Sequence, residues 1–246
     1  MKHFLICTLL FSTVLLADDK KICGGEDNRI LSFENPVGRS SMKRFKAGCT
    51  VTMISESCAI SVGHCVDAFE VIQFNVPLSV NTEPTMADAK DIYERNKDFM
   101  RYSDNGKGDD WAVIKLKRNN LTGLFPGNAQ GFYPFSISED IKLGMEVRIT
   151  GFGEDAQDSE GNFAQQTHMG TIKKIGGLFS KKSKFGYDID TTLGSSGSPV
   201  ILAKTNEVIG VHSHGTCGEK EDYNQGTLIS KNKSFKFAIQ QCLNFK

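Results

Sequence analysis

Apolar residues in this chain come in short bursts cut off by glycine and polar turns, and this spacing constrains the fold more than any other feature. Val71-Ile72-Gln73-Phe74-Asn75-Val76, Ala112-Val113-Ile114-Lys115-Leu116, Val147-Arg148-Ile149-Thr150 and Val200-Ile201-Leu202 are each the length of a strand. After Leu202 the polar Lys204-Thr205-Asn206-Glu207 turns the chain into Val208-Ile209-Gly210-Val211, which predicts a hairpin. Helical period is confined mainly to the end. There Phe235, Ala238, Ile239 and Cys242 recur at i, i+3, i+4 and i+7, with Ser234 as the expected cap. The expectation is an all-β body closed by a C-terminal helix. Residues 77–109 are crowded with Glu83, Asp88, Lys90, Asp91, Glu94, Arg95, Lys97 and Asp98, and read as a solvated excursion between strands. Residues 154–166 read as a second polar loop. In 246 residues there is no internal repeat and no low-complexity linker, so two modules sharing one interface fit best.

Lys2 and His3 precede an apolar run over residues 4–16 and the small Ala17, the pattern of an export signal over residues 1–17 cut after Ala17. A membrane anchor is the weaker reading, because the run falls short of the roughly 20 residues a bilayer core requires. The mature chain is therefore expected to be secreted, with no membrane partner. Cys7 leaves with the signal, and Cys23, Cys49, Cys58, Cys65, Cys217 and Cys242 remain. An even number in an exported chain favours disulfides over metal. Neither CxxC, HExxH nor an EF-hand pattern occurs, so no metal is expected. Lys+Arg 29 balances Asp+Glu 29, which leaves no bulk attraction to nucleic acid. Function must lie in a site.

Three stretches carry chemistry together. Ile60-Ser61-Val62-Gly63-His64-Cys65 follows Cys49 at sixteen residues, Asp109-Asp110-Trp111-Ala112-Val113-Ile114-Lys115-Leu116 puts acids at the head of a strand, and Thr191-Thr192-Leu193-Gly194-Ser195-Ser196-Gly197-Ser198-Pro199-Val200 holds serines in a glycine-rich bend. A serine hydroxyl is a poor nucleophile until an imidazole takes its proton, and that imidazole needs a buried acceptor to fix its tautomer. His, Asp and Ser in this order supply all three. Glycines let successive N–H groups, here those of Gly194 and Ser196, meet a carbonyl oxygen gaining charge. Singly, each stretch reads as a core histidine, a turn acid or a loop. Jointly, in an exported β-rich chain, they point to nucleophilic catalysis.

GHC preceded by a cysteine sixteen residues back, DWAVIKL and GSSGSPV resemble the three signature blocks of chymotrypsin-like serine peptidases. SGSPV followed by VIGVH is most similar to the bacterial glutamyl endopeptidase branch. The resemblance runs from about Ile22 to the final helix. It implies two packed six-stranded antiparallel β-barrels, over residues 22–126 and 127–246, with the active site in the cleft between them. It also implies the general base at His64, the orienting acid at Asp110, the nucleophile at Ser196 and an oxyanion hole from Gly194 and Ser196. Polypeptide substrates and no cofactor follow. Alignment of WAVIKL picks Asp110 over Asp109, and Gly-x-Ser-Gly picks Ser196 over Ser195 and Ser198, while Thr192 stands near the place of a cysteine this chain lacks. A Cys49–Cys65 bridge is implied too, worth about 3 kcal/mol on the chain-entropy estimate. Cys23, Cys58, Cys217 and Cys242 retain three possible connectivities.

Asp18-Asp19-Lys20-Lys21-Ile22-Cys23-Gly24-Gly25 resembles a trypsinogen activation peptide, which makes residues 18–21 a propeptide cut before Ile22; a plain solvated leader is the alternative. The family's charged partner for the freed amine is replaced by the uncharged Ser195. In the glutamyl branch the mature amino terminus instead helps bind the acidic substrate side chain. The specificity pocket is read two ways. Thr191 and His212 match residues that hold a substrate carboxylate, whereas Asp190, six residues before Ser196, matches the acid that attracts Lys or Arg. Ser213 is expected either to brace the triad acid or to be an ordinary strand hydroxyl. His214 and Cys217 rim the pocket, His168 is structural and Trp111 is core. Two rivals from other classes remain, an inactive homologue serving as a binding module and a secreted structural or adhesive β-protein.

Overall fold

The structure is a computed structural model that describes residues 21–41, 48–177, 180–218 and 221–245; the export signal and residues 18–20 lie outside them. Past the short strand Ile30–Leu31 (β1), strands Val37–Ser41 (β2), Thr50–Met53 (β3), Cys58–Ser61 (β4), Val71–Gln73 (β5), Ile92–Asp104 (β6) and Asp110–Leu116 (β7) form a closed antiparallel barrel in the order β2-β3-β4-β7-β6-β5. The helix Pro126–Gln130 (α1) precedes the second barrel. That barrel contains Glu146–Gly151 (β8), Gln166–Gly177 (β9), Ser180–Tyr187 (β10), Pro199–Leu202 (β11), Val208–His214 (β12) and Asn224–Leu228 (β13). Its order is β8-β9-β10-β13-β12-β11, closed by the pairing of β11 with β8, and β1 is added beside β9. Two six-stranded barrels are therefore present, as expected. Closure pairs the edge strands of each barrel with one another.

The predicted hairpin forms between β11 and β12. The terminal helix Lys233–Asn244 (α2) buries Phe235, Ala238, Ile239 and Cys242, the stripe its period-3.6 pattern required. This face covers β7, where Trp111 stacks on Phe235 with ring centroids 5.1 Å apart and Cys242 is bonded to Cys58 of β4. The cap differs from expectation: the Asn232 side-chain oxygen, not Ser234, accepts from Phe235 N at 3.0 Å. Ser234 already lies inside the helix, and Asn232 Nδ2 is fixed by donating to Asp109 at 2.9 Å, which leaves its oxygen facing the open N–H groups.

Residues 77–109 are not one solvated excursion. Among the described residues Ile92–Asp104 is the longest strand, anchored by buried Tyr93 and Phe99. Its charged residues face outward or sit at the register shift between Arg95 and Met100. Two aromatic anchors six residues apart were too sparse to show among so many charges.

Candidate active site

His64 stands in a short 3₁₀ helix, Gly63–Ala68, shortly after β4, and Asp110 is the first residue of β7, which pairs with β4. This pairing brings the acid under the turn. His64 Nδ1 lies 2.6 Å from Asp110 Oδ2, while Asp110 Oδ1 accepts from the N–H groups of Gly63 at 2.6 Å and His64 at 3.2 Å. The carboxylate has no solvent exposure. On the other side, His64 Nε2 meets Ser196 Oγ at 3.0 Å. With Nδ1–H donated to the carboxylate, Nε2 is the acceptor, so this imidazole is placed to take the serine proton. Burial pulls its pKa down. The hydrogen bond to Asp110, the charge of Asp110 and the charge of Asp104 outweigh that and hold it above its ordinary value.

Asp109 does different work. Its carboxylate accepts from Trp111 Nε1 at 3.0 Å and from Asn232 Nδ2 at 2.9 Å, tying the strand to the cap of α2.

Ser196 belongs to the bend between β10 and β11. Thr192 closes the turn at both ends, accepting from Ser195 N at 3.0 Å and donating its own N–H to Ser195 Oγ at 3.2 Å. Gly194 has φ +93°, and a Cβ there would lie 2.4 Å from Phe152 O; Gly197 has φ +89°, and a Cβ there would lie 2.1 Å from Ser61 Oγ. Only glycine fits either position. Among the described residues no acceptor is bound to the N–H of Gly194 or of Ser196, while Gly197 N donates to His212 O at 2.8 Å. The first barrel also holds the bend. Thr50 N donates to Ser196 O at 2.8 Å and Thr50 Oγ1 to Gly194 O at 3.1 Å.

A cleft of about 190 Å³ beside Ser196 is lined by Lys21, Thr191, Thr192, Leu193, His212 and Gly215. Among the described residues the buried Thr191 hydroxyl has no hydrogen-bond partner. His212 is 2% exposed, and its Nδ1 lies 2.8 Å from Tyr187 O–H. Burial, then the charges of His214 and His64, push its pKa down to about 3. The ring is therefore neutral near pH 7. A Tyr187 O–H donated to Nδ1 puts the ring proton on Nε2, whereas Nδ1–H donated to Tyr187 leaves Nε2 an acceptor.

Asp190 does not line this cleft. Its Oδ1 accepts from Cys23 N at 2.7 Å and its Oδ2 from Asn28 N at 2.8 Å, and His168 lies 3.3 Å away. Ser213 does not reach the Asp110 carboxylate either. Its hydroxyl contacts Gln225 O at 3.5 Å and His214 Nδ1 at 2.9 Å, at a register irregularity between His212 and His214. His214 is half-buried, with its ring centroid 6.2 Å from that of His64. Trp111 is 4% exposed, in the core.

Three residues of this neighbourhood carried no sequence signal. Thr50 and Thr227 bridge the barrels, and the fully buried Asn224 donates to the carbonyls of Lys21 and Ile189, both at 2.7 Å, while accepting from Thr216 N and Cys217 N. Lone threonines and asparagines acquire such roles only through contacts distant in sequence. The only pointer was the neighbourhood of Cys49, which precedes Thr50 and is bonded to Cys65, the residue after His64.

A sequence profile of the family described as Trypsin matches residues 22–235. Among solved structures, a Glu endopeptidase in complex with MPD superposes with a TM-score of 0.65 at 19% identity, covering 88% of this chain and 96% of that one. A thermostable serine protease from an extremophilic microorganism gives 0.65 at 14% identity, over 87% and 99%. HL collagenase gives 0.64 at 15% identity, over 90% and 100%. These likenesses are of fold. With the profile matching most of its length and two closed six-stranded barrels present, the chain belongs to the trypsin family of serine endopeptidases.

Proposed function

We propose that this protein is secreted, hydrolyses peptide bonds through an acyl-enzyme on Ser196, and cuts after acidic residues, glutamate above all. The observation that carries the chemistry is His64, within 2.6 Å of a buried carboxylate on one nitrogen and 3.0 Å of a serine hydroxyl on the other. Ser196 Oγ attacks the substrate carbonyl as His64 Nε2 takes its proton. Asp110 keeps the acceptor nitrogen facing the serine and stabilises the imidazolium that forms. The carbonyl oxygen, now an oxyanion, takes the unengaged N–H groups of Gly194 and Ser196. His64 then gives the proton to the leaving amine. A water molecule, activated by the same imidazole, releases the acid product.

Acidic preference is supported by three groups at the cleft. The unpartnered hydroxyl of Thr191 is a donor, neutral His212 supplies a second from Nε2 when Tyr187 donates to its Nδ1, and Lys21 brings a cation to the lining. A buried hydroxyl left without a partner costs about 1–3 kcal/mol, which a substrate carboxylate would relieve. Preference for Lys or Arg has no comparable support, because amides of the N-terminal segment occupy Asp190. Secretion is supported by the leader pattern and by three disulfides, Cys23–Cys217, Cys49–Cys65 and Cys58–Cys242.

The test is a fluorophosphonate probe and a peptide library. The unmodified chain is expected to label at Ser196 and to cut after Glu; Ser196→Ala should do neither while melting like the parent. Turnover in Ser196→Ala refutes the mechanism, and cuts confined to Lys or Arg refute the specificity.

A further inference from the structure

The segment from Lys21 to β1 lies as a strap across the second barrel and reaches the back of the serine bend. Arg29, on this strap, has a side chain only 4% exposed. A buried guanidinium must place five N–H donors, and here each has an acceptor. Nε donates to Asp27 Oδ1 at 2.9 Å. Nη2 donates to Asp27 Oδ2 at 2.6 Å and Asp155 Oδ2 at 3.4 Å, and Nη1 donates to Gln166 Oε1 and Thr192 Oγ1, both at 2.8 Å. The last contact matters most. Thr192 closes the turn that contains Ser195 and leads to Gly194 and Ser196, and a Cβ on Gly153 would lie within 2.8 Å of Arg29 Nη1, Thr192 Oγ1 and Ser195 Oγ together.

The strap is itself held along its length. Lys21 N donates to Thr191 O at 2.9 Å, and Lys21 O accepts from Asn224 Nδ2 at 2.7 Å and from Thr191 N at 3.4 Å. Cys23 is bonded to Cys217, and Cys23 N and Asn28 N both donate to Asp190. The bond expected to be cut on activation, Lys21–Ile22, thus has its carbonyl engaged by two donors of the folded body. A peptidase needs that carbonyl free.

We infer that Arg29 is a positioning residue for the oxyanion-binding bend, and that the uncut strap, rather than an amine freed at Ile22, holds this bend in working form. The inference rests on the assignment of Gly194 and Ser196 as oxyanion donors. Arg29 acts through Thr192 and touches no substrate. Its loss lets the turn relax, which weakens transition-state contacts more than ground-state binding.

The experiment uses the secreted chain, diisopropyl fluorophosphate, intact mass and steady-state kinetics on a Glu peptide. Labelled molecules are expected to retain Lys21. Arg29→Gln should lower kcat about 100-fold with KM changed less than about threefold. Thr192→Val, which removes one hydroxyl and tests the same contact should Arg29→Gln misfold, is expected to show the same loss; the double variant should be no worse than either single. Label confined to molecules beginning at Ile22, parental kcat in folded Arg29→Gln or in Thr192→Val, or losses that multiply in the double variant would overturn the inference alone. Failure of the parent chain to label would overturn it together with the Ser196 assignment.

Discussion

Asp110 and Thr227 hold each other across the two barrels: the threonine hydroxyl donates to the Asp110 carbonyl at 3.0 Å and accepts the Asp110 N–H at 3.3 Å. One side chain of β13 thereby satisfies both backbone groups at the head of β7. These bonds link the barrel that holds His64 and Asp110 to the barrel that holds Ser196. Thr227→Val preserves the shape and orphans both groups, at a cost of about 1–3 kcal/mol. A lowered Tm together with a reduced kcat is expected from melting and turnover assays. An unchanged kcat in a destabilised variant would reduce the link to a purely structural one.

The adjacent acids should separate cleanly. Asp110→Asn loses the charge that fixes the His64 tautomer, and kcat should fall by roughly 10⁴, the loss expected of a Ser-His-Asp triad held in the wrong tautomer. Asp109→Asn weakens a charged acceptor shared by Trp111 and Asn232, so it should lower stability by about 1 kcal/mol and leave kcat near parental. Turnover lost in Asp109→Asn and kept in Asp110→Asn would reverse the assignment.

In its proposed role as base His64 must be neutral, so activity is expected to fall as acid protonates it. Its pKa is held above the ordinary 6.5, which puts the acid limb of kcat/KM above that pH. In Asp110→Asn the hydrogen bond to a charged acceptor and the charge itself are gone while burial remains, so the limb of the residual activity should move down. Stability runs the other way. A folded-state pKa raised above the unfolded one makes a contribution that is full below the unfolded pKa and lost as pH rises through the raised value. A parental limb below 6.5, or one that Asp110→Asn leaves in place, would contradict this account.

Much of this arrangement was readable in the chain because it rests on local chemistry. Gly194 and Gly197 mark backbone that only glycine adopts, the apolar run after Asp110 marks a strand buried on both sides, and the stripe of Phe235, Ala238, Ile239 and Cys242 marks one helix face. What escaped depends on partners far along the sequence. Asp190 looks like a pocket acid until Cys23 and Asn28, more than 160 residues earlier, supply the amides that occupy it. Arg29 is one more exposed-looking cation until Thr192 and Gln166 surround it. The Cys23–Cys217 and Cys58–Cys242 pairings, too, are decided by how the barrels pack, which spacing alone does not encode.

Donors at the cleft predict selectivity for the charged side chain over its amide. On matched peptides ending in Glu or Gln, Thr191→Val should lower kcat/KM for Glu about tenfold, by removing one hydrogen bond to a charged group. Tyr187→Phe frees Nδ1 of His212 to take the proton, turning an acceptor toward the cleft, and should narrow the Glu-over-Gln ratio with little effect on the Gln peptide. Lys21→Gln should narrow it as well and make the remaining preference less sensitive to salt. Equal ratios in all three variants and the parent would remove these groups from specificity.

The Cys23–Cys217 bond should protect the site more than the barrels. It closes a chain segment of 194 residues, so its removal by Cys23→Ser with Cys217→Ser costs on the order of 2–5 kcal/mol. That loss need not be shared evenly, because the bond anchors the strap beside Asp190 and next to Thr191 of the cleft, whereas Trp111 lies in the first barrel stacked on Phe235. Trp111 is the single tryptophan of the chain, which makes its fluorescence a report on the first barrel and the helix packed on it. In urea the parent should lose activity and change fluorescence together. The double variant should lose activity first, as the strap detaches from an intact first barrel. Coincident midpoints in the variant would mean that the strap and barrels unfold as one unit, and that the bond stabilises the whole chain rather than the cleft.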